Sequence, residues 1–491
     1  MPNFIAILLF LFPHYLLNTL QLGIQQYTIK ALQQLEIKQQ LNEHSSLHMT
    51  ALLYDEQKDT NIYDTKSGTQ IVLQQKGEKQ KLLFQGVVTN IEIEKQKGIY
   101  FLEIQALSNT YLLDIKKVSR SFQNVAMTYI DMIKKVIKEY QGSDVIDNVT
   151  KGKAIENFIM QYQETDWEFI KRVASHFQAA LFPFHLTDKP KFTIGMPKGE
   201  NRGNLNQYHY RISKNVEQYL KSSQNENKSL KELDVVVFYI ETDKDFEIGD
   251  TVMFQNIPLY IKQKTAKMQQ GVLVYEYILS NENSFTQDKL YHDGIIGLSL
   301  KGRVLEAIQD TVKVQLEIDT EQTKKEEAYP FPYTTSYTAE GNSGWYCMPE
   351  VEDIVMIYFP TKEEKEAIGV NSLRVLEKGS DRMSDPAVKY FRTKNGKELK
   401  FSPEEILITC CNGTDEQTGE KHVIYIRLNE KNGIQIISTE PILLKSDQNI
   451  DLQAGDQIFF VAKEEIVFKC KTSQITVNQM VDIAGKEVRI N

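Results

Sequence analysis

The sequence predicts a mainly β protein of the α+β class: two barrel-like sheets flanking a helical insert, a third, five-stranded barrel, and a β-repeat at the C-terminal end. Three observations carry this reading. Apolar and polar residues alternate over residues 25–115 and again near 233–285, the period of half-buried strands. Between them the period changes to that of amphipathic helices. Towards the end of the chain, Ile434, Ile442, Ile450, Ile458 and Ile466 open five successive blocks of eight residues. A chain of 491 residues exceeds what one core can organise, so about three to four domains are expected.

Residues 1–24 read as a hydrophobic N-terminal arm. The apolar run is short, Pro13 interrupts it and no Lys or Arg precedes Lys30, so it has neither the charged start of a secretory signal nor the length of a membrane span. Residues 25–120 form the first barrel, in which Gly86 and Lys97-Gly98 mark a bulge or turns. The insert covers 121–204. In its first helix Ile130, Ile133, Ile137 and Tyr140 share a face, with Thr128 as cap and Gly142 as stop. In its second, Thr165 and Glu168 form a capping-box pattern ahead of Trp167, Ile170, Val173, Ala174 and Phe177. Residues 205–290 form the second barrel, in which a polar tract near 213–234 precedes the strand-like part. Residues 291–378 supply five strands, with a turn at Gln309-Asp310, the count of an OB-fold barrel. A linker or neck over 379–430 leads to the repeat, 431–491.

Within each block of eight, a second apolar residue stands two places after the isoleucine: Ile436, Leu444, Leu452, Phe460 and Phe468. A spacing of two puts both on one face of a short strand, and a repeat of eight returns the chain to the same geometry. The pairs Ile475/Val477, Val481/Ile483 and Val488/Ile490 continue the theme at spacings of nine, six and seven. Such strips cannot bury themselves singly; they must stack and face another layer or another chain.

Chemistry-bearing patterns are sparse. A net charge of -9 argues against a nucleic-acid partner, which needs clustered Lys and Arg. Cys347, Cys410, Cys411 and Cys470 lack metal-site spacing and read as thiols in a reducing compartment. Glu164, Asp166 and Glu168 are explained as acids at a positive helix N-terminus rather than as an acid-base pair. His44 and His48, four apart on a strand, stand too far apart to share a metal ion. No phosphate loop, nucleophile elbow or zinc-protease helix is found, so no catalytic residue, metal or cofactor is assigned.

The order of parts resembles the VgrG spikes of type VI secretion systems and the hub-and-spike proteins of contractile phage tails, the late control protein D-like family. The resemblance is carried by "QYQETDWEFIKRVASHF" over residues 161–177, whose signature positions are Tyr162, Glu164, Asp166, Trp167 and Phe169. It is also carried by "SGWYCMPEVEDIVMIYFP", with Gly344, Trp345, Pro349 and Asp353 at the OB-fold positions and Glu352 where the family has glycine. The resemblance implies a structural, non-enzymatic homotrimer that is assembled in the bacterial cytoplasm and later injected. Its barrels would be the tube-like halves of a hub docked on an Hcp-like tube protein. Three C-terminal repeats would intertwine as a trimeric β-helix or prism.

The stripe facing the shared axis would be Ile434, Ile436, Ile442, Leu444, Ile450, Leu452, Ile458, Phe460, Ile466, Phe468, Ile475 and Val477. Further implied partners are baseplate proteins, effector cargo, the target-cell membrane and a PAAR-like cap at the tip, since His422 is the only histidine after residue 300 and no paired histidines could hold iron there. The alternative reading is a cell-wall or carbohydrate hydrolase on a β-solenoid. It would need acids in one register, and Asp447, Asp451, Asp456, Glu464 and Glu465 are not so placed. A passive adhesin is a third reading, distinguished by failure to bind a tube protein.

Overall fold

The computed structural model describes residues 21–24, 26–55, 60–76, 80–206, 209–225, 230–339, 343–373, 385–414 and 421–477. The chain divides into two compact units, residues 1–375 and 376–491. The fold is mainly β, with several sheets and few helices.

Two alternating regions of the sequence make one sheet. Strands Gln21–Ile24, Gln70–Lys76, Lys81–Gln96, Ile99–Ser108, Ser46–Leu52 and Ala31–Gln39 lie side by side in that order. Ala31–Gln39 then pairs with Ile257–Gln269, and Val272–Ser280, Val236–Thr242 and Tyr210–Lys214 follow, in a sheet of twelve strands. Sequence alternation predicts two barrels here. The antiparallel register Gln39↔Lys264, Lys38↔Thr265, Ile37↔Ala266 and Glu36↔Lys267 fuses them instead.

The reason is visible on both faces. Inside, Leu35, Ile37, Leu47 and Met49 share one buried cluster with Ile261, Tyr277 and Leu279. Outside, Lys267 reaches Glu36 at 3.7 Å and Glu276 at 2.9 Å, a charge ladder across three strands. Lys81 from one half pairs with Asp245 from the other, and Lys264 holds Asp245 at 2.6 Å and Glu247 at 2.7 Å.

The insert has its own core. Helix Tyr129–Ile137 starts at Thr128, whose side chain accepts the Asp131 amide, and buries Met132, Ile133, Val136 and Ile137. Helix Asp166–Ser175 carries the full Thr165/Glu168 capping box. Both pack with Phe192 and Ile194 of the small sheet formed by Asp144–Asp147, Lys191–Ile194 and Leu181–Pro183. The polar tract beyond the insert contains helix Val216–Asn225.

Strands Ser299–Ile308, Thr311–Leu316, Pro330–Pro332, Ile354–Tyr358 and Ile368–Leu373 form the five-stranded sheet. The first pairs with the second and fourth, the second with the third, and the fourth with the fifth. A parallel bridge between Tyr333 and Gly369 brings the third and fifth together. That is the connectivity 1-2-3-5-4-1 of a Greek-key, OB-type arrangement. Val304, Val312, Val314, Phe331, Val355 and Ile357 fill it.

The second unit departs most from the sequence reading. Strands Lys389–Arg392, Glu398–Phe401, Glu405–Thr414, Lys421–Asn429 and Gly433–Ser438 form an antiparallel meander, largely where a linker over 379–430 is predicted. Ile434 and Ile436 belong to its last strand. From Thr439 to Glu465 the single chain forms no strand, so the stacked short strands expected of a closed winding are not made by one chain alone. Ile466–Cys470 and Ser473–Val477 then make a hairpin in which Ile466 faces Val477 and Phe468 faces Ile475. The spacing of nine after Ile466 is thus a hairpin turn, with Lys471 at φ 52°. Val481, Ile483, Val488 and Ile490 lie outside the described residues.

Candidate functional site

The residues of 161–177 stand where the insert meets the OB-type sheet. Strand Ile159–Thr165 feeds helix Asp166–Ser175, and the change of period at Thr165 splits its side chains between two cores. Phe158 and Met160 sit in the core of the five-stranded sheet, with Tyr162 packed at its border. Trp167 and Phe169 sit in the core of the insert. The Trp167 indole donates to the Asn42 carbonyl at 3.2 Å and lies 4.7 Å from the His44 ring, tying the helix to the large sheet. His48, on the strand proper, pairs instead with Glu103 at 2.9 Å.

Arg172 is the centre of this junction. Its Nε and Nη2 donate to the two Glu164 oxygens at 2.8 and 2.7 Å, and Nη2 also reaches the Met160 carbonyl at 2.7 Å. Nη1 donates at 3.1 Å to Glu364, which comes from a turn of the five-stranded domain and also accepts the Met160 amide at 3.1 Å. All three charged side chains are buried, so the fork-to-carboxylate geometry sits in a low-dielectric setting. Burial pushes the Glu364 carboxyl up, against the pull of Arg172.

Asp166 is equally committed: it accepts from Arg120, from Gln161 Nε2 at 2.9 Å and from the Tyr140 hydroxyl at 2.8 Å. Desolvation, then that hydrogen bond, raises the Tyr140 phenol. Glu168 accepts the Thr165 amide at 2.9 Å. Further ties cross the same seam: Asp319 accepts from the Ser121 amide and hydroxyl, both at 2.6 Å, His292 bonds the Tyr162 carbonyl at 2.6 Å, and Lys289 pairs with Glu363 at 3.0 Å. Glu164, Asp166 and Glu168, the acids of the 161–177 stretch, are all engaged in hydrogen bonds that hold the junction and the helix start.

Among the OB positions, Gly344 has φ 135°, and a Cβ there would meet the Tyr337 carbonyl at 2.7 Å. Trp345 is 53% exposed, and Pro349 is buried. Asp353 accepts the Glu350 amide at 2.8 Å. Glu352 keeps the left-handed backbone that glycine favours, at φ 78°, and its carboxylate lies 3.2 Å from Arg303.

The stripe residues tell a different story. Ile434 is 73% exposed, Leu444 69% and Ile475 59%. Ile436, Ile442, Ile450, Leu452, Ile458, Phe460, Ile466, Phe468 and Val477 are likewise exposed or half-buried. Among the described residues of this unit only Val423 is a buried apolar side chain. A single copy therefore has no core here, and the two faces of its meander both lie open.

Among the described residues no group of three or more His, Cys, Asp and Glu could hold a metal ion, and no helix is long and apolar enough to cross a membrane.

Residues 39–192 match the family of the phage tail baseplate hub (GPD). That stretch is similar to a baseplate hub domain. It contains most of the insert, Glu164 and Arg172 of the junction, and four strands of the twelve-stranded sheet. No curated protein matches the sequence. Among solved structures, the chain is similar to the E. coli c3393 protein, described as a type VI secretion component resembling T4 bacteriophage tail proteins gp27 and gp5. The identity is 13%, over 72% of this chain and 100% of that one, with TM-score 0.53. It is also similar to VgrG in the half-lidded Francisella PdpA-VgrG complex, at 11% identity over 86% of this chain and 88% of that one, TM-score 0.53. At such identities the likeness establishes the fold alone.

One pH effect follows from the matched stretch. His185 is buried against Gln39, its ring nitrogen 3.0 Å from the amide, and burial, with Lys264 nearby, lowers it from 6.5 to about 3. The folded chain keeps it neutral while the unfolded chain charges it below about 6.5, so its stability contribution is full at neutral pH and drains away as pH falls towards 3. Between pH 7 and 5 the chain is expected to lose about 2 kcal/mol more than His185→Gln. Denaturant midpoints at the two pH values measure this, and equal losses would count against it.

Proposed function

We propose that the chain is the non-enzymatic hub and membrane-puncturing spike of a contractile injection machine. On this reading three copies form the working unit. The hub half docks on an Hcp-like tube protein. The C-terminal units intertwine as a needle, closed at its tip by a separate PAAR-like cap. Cargo and the baseplate attach to this assembly.

The observation that supports the reading is the pairing of a baseplate hub match with a C-terminal unit that has no core in one copy. An apolar stripe left open over five blocks is unstable alone, because exposed strand edges and unburied isoleucines invite association. A three-fold axis offers each stripe two equivalent partners, and association then becomes inseparable from folding of that unit. The hydrolase reading finds no support, since its acids share no register and those of the hub are engaged. Cytoplasmic assembly and later injection follow from the same reading.

The deciding measurement is solution mass by light scattering. Three times the 56.7 kDa chain mass is expected. A monodisperse monomer at micromolar concentration would overturn it.

A further inference from the structure

Strand Ile257–Gln269 keeps register with Val272–Ser280 except between Ile261 and Gln263, where Lys262 is the extra residue. A bulge of this kind re-aims the side chain it carries. Lys262 lines a cavity of about 520 Å³ together with Glu43, Ser222, Asp234, Gln287 and Asp288. Its ammonium donates to the Ser284 carbonyl at 2.5 Å, and among the described residues it has no carboxylate partner. Lys264, two residues along the same strand, has two.

Two of the three acids that line the cavity are turned to other donors, and the third, Glu43, is exposed. Asp234 accepts from Asn281 at 2.6 Å and from the Lys231 amide at 2.8 Å, and Asp288 accepts from the Ser222 hydroxyl at 2.6 Å. Burial alone lowers the Lys262 amine to about 8. An ammonium has three donors, and one carbonyl leaves two unused beside a space large enough for a ligand. Holding a cation in such a place without an anion is costly unless something supplies the anion.

We propose that the Lys262 cavity is a carboxylate-binding site. The carboxylate takes the donors that Ser284 leaves free and restores the amine to an ordinary lysine. It comes either from a small free acid or from an acidic side chain of a polypeptide that seats on this side of the sheet. The proposal does not rest on the trimer reading.

The test is pulsed reductive methylation of the full chain across pH, read at Lys262 by peptide mass spectrometry. At pH 7 an amine with a pKa near 8 has on the order of a hundredfold more free base than an ordinary lysine, so Lys262 labels early. If succinate, against sodium chloride of equal ionic strength, moves the labelling midpoint up by about one pH unit, a free acid is the ligand. If the midpoint rises only in the assembled oligomer, the carboxylate is supplied by a polypeptide. If neither condition raises the midpoint, the proposal is wrong; slower labelling at an unchanged midpoint is steric cover and counts the same way. Lys262→Met keeps the question open to a second readout. It should raise the unfolding temperature of the ligand-free chain and, if succinate is the ligand, abolish any succinate-dependent rise. A lower unfolding temperature would mean that Lys262 serves only to hold the Ser284 carbonyl.

Discussion

On the trimer reading, changing Ile450 and Ile466 together to Asp is expected to abolish the oligomer and leave the first unit folded. In a single copy Ile450 is 52% exposed and Ile466 is half-buried, so aspartates there meet water and cost little. On the trimer reading the same positions would face the shared axis, and two substitutions would place six carboxylates in an apolar core without partners. Each unpaired buried charge costs several kcal/mol, more than an interface of this kind can absorb. Size-exclusion light scattering should return the chain mass, while the circular dichroism and unfolding temperature of the hub remain those of the parent. Gln453→Asp, at an outward position of the same block, is the control and should leave full oligomers. Trimers from the double variant would mean that the isoleucines do not line the axis.

Replacing Arg172 with Met strikes the other structural centre. It removes the donor that serves both Glu164 oxygens and Glu364, leaving two buried carboxylates facing each other across the seam. Breaking a buried pair from the cationic side costs about 3–5 kcal/mol, because the surviving charges remain desolvated. The apparent unfolding midpoint of the first unit should fall by several degrees. Adding Glu364→Gln to Arg172→Met should recover part of the loss by neutralising one of the stranded acids. An unchanged midpoint in the single variant would show that the junction is wet and weakly coupled.

How much of this was legible beforehand differs by element. The helix at Asp166–Ser175 was fully readable, since capping residues and apolar face lie within ten positions of one another. So were the five strands of the OB-type sheet, whose alternation and turn at Gln309 are local. Arg172, by contrast, gave no signal: in the sequence it is one more polar residue on a helix, and its partner Glu364 lies 192 positions away. The fusion of two expected barrels into one sheet was hidden for the same reason, because Ile37 and its partner Ala266 lie 229 positions apart with the whole insert between them. The region 389–429 read as linker, yet its strands carry apolar residues such as Ile406, Ile408, Ile426 and Leu428, which one copy leaves largely uncovered. The octad spacing itself was plain, but that a single chain leaves it uncovered was not.

The open stripe also sets a timetable. A newly made chain can complete its twelve-stranded sheet and OB-type domain alone, at a rate indifferent to dilution. On the trimer reading the needle waits for encounters between chains, so its formation slows steeply as they become scarce. During that interval Ile442, Leu443, Phe459 and Val461, all more than half exposed, are what the cell's folding machinery meets first. Needle assembly is then governed less by the strength of the finished interface than by how many sister chains are made close together in place and time.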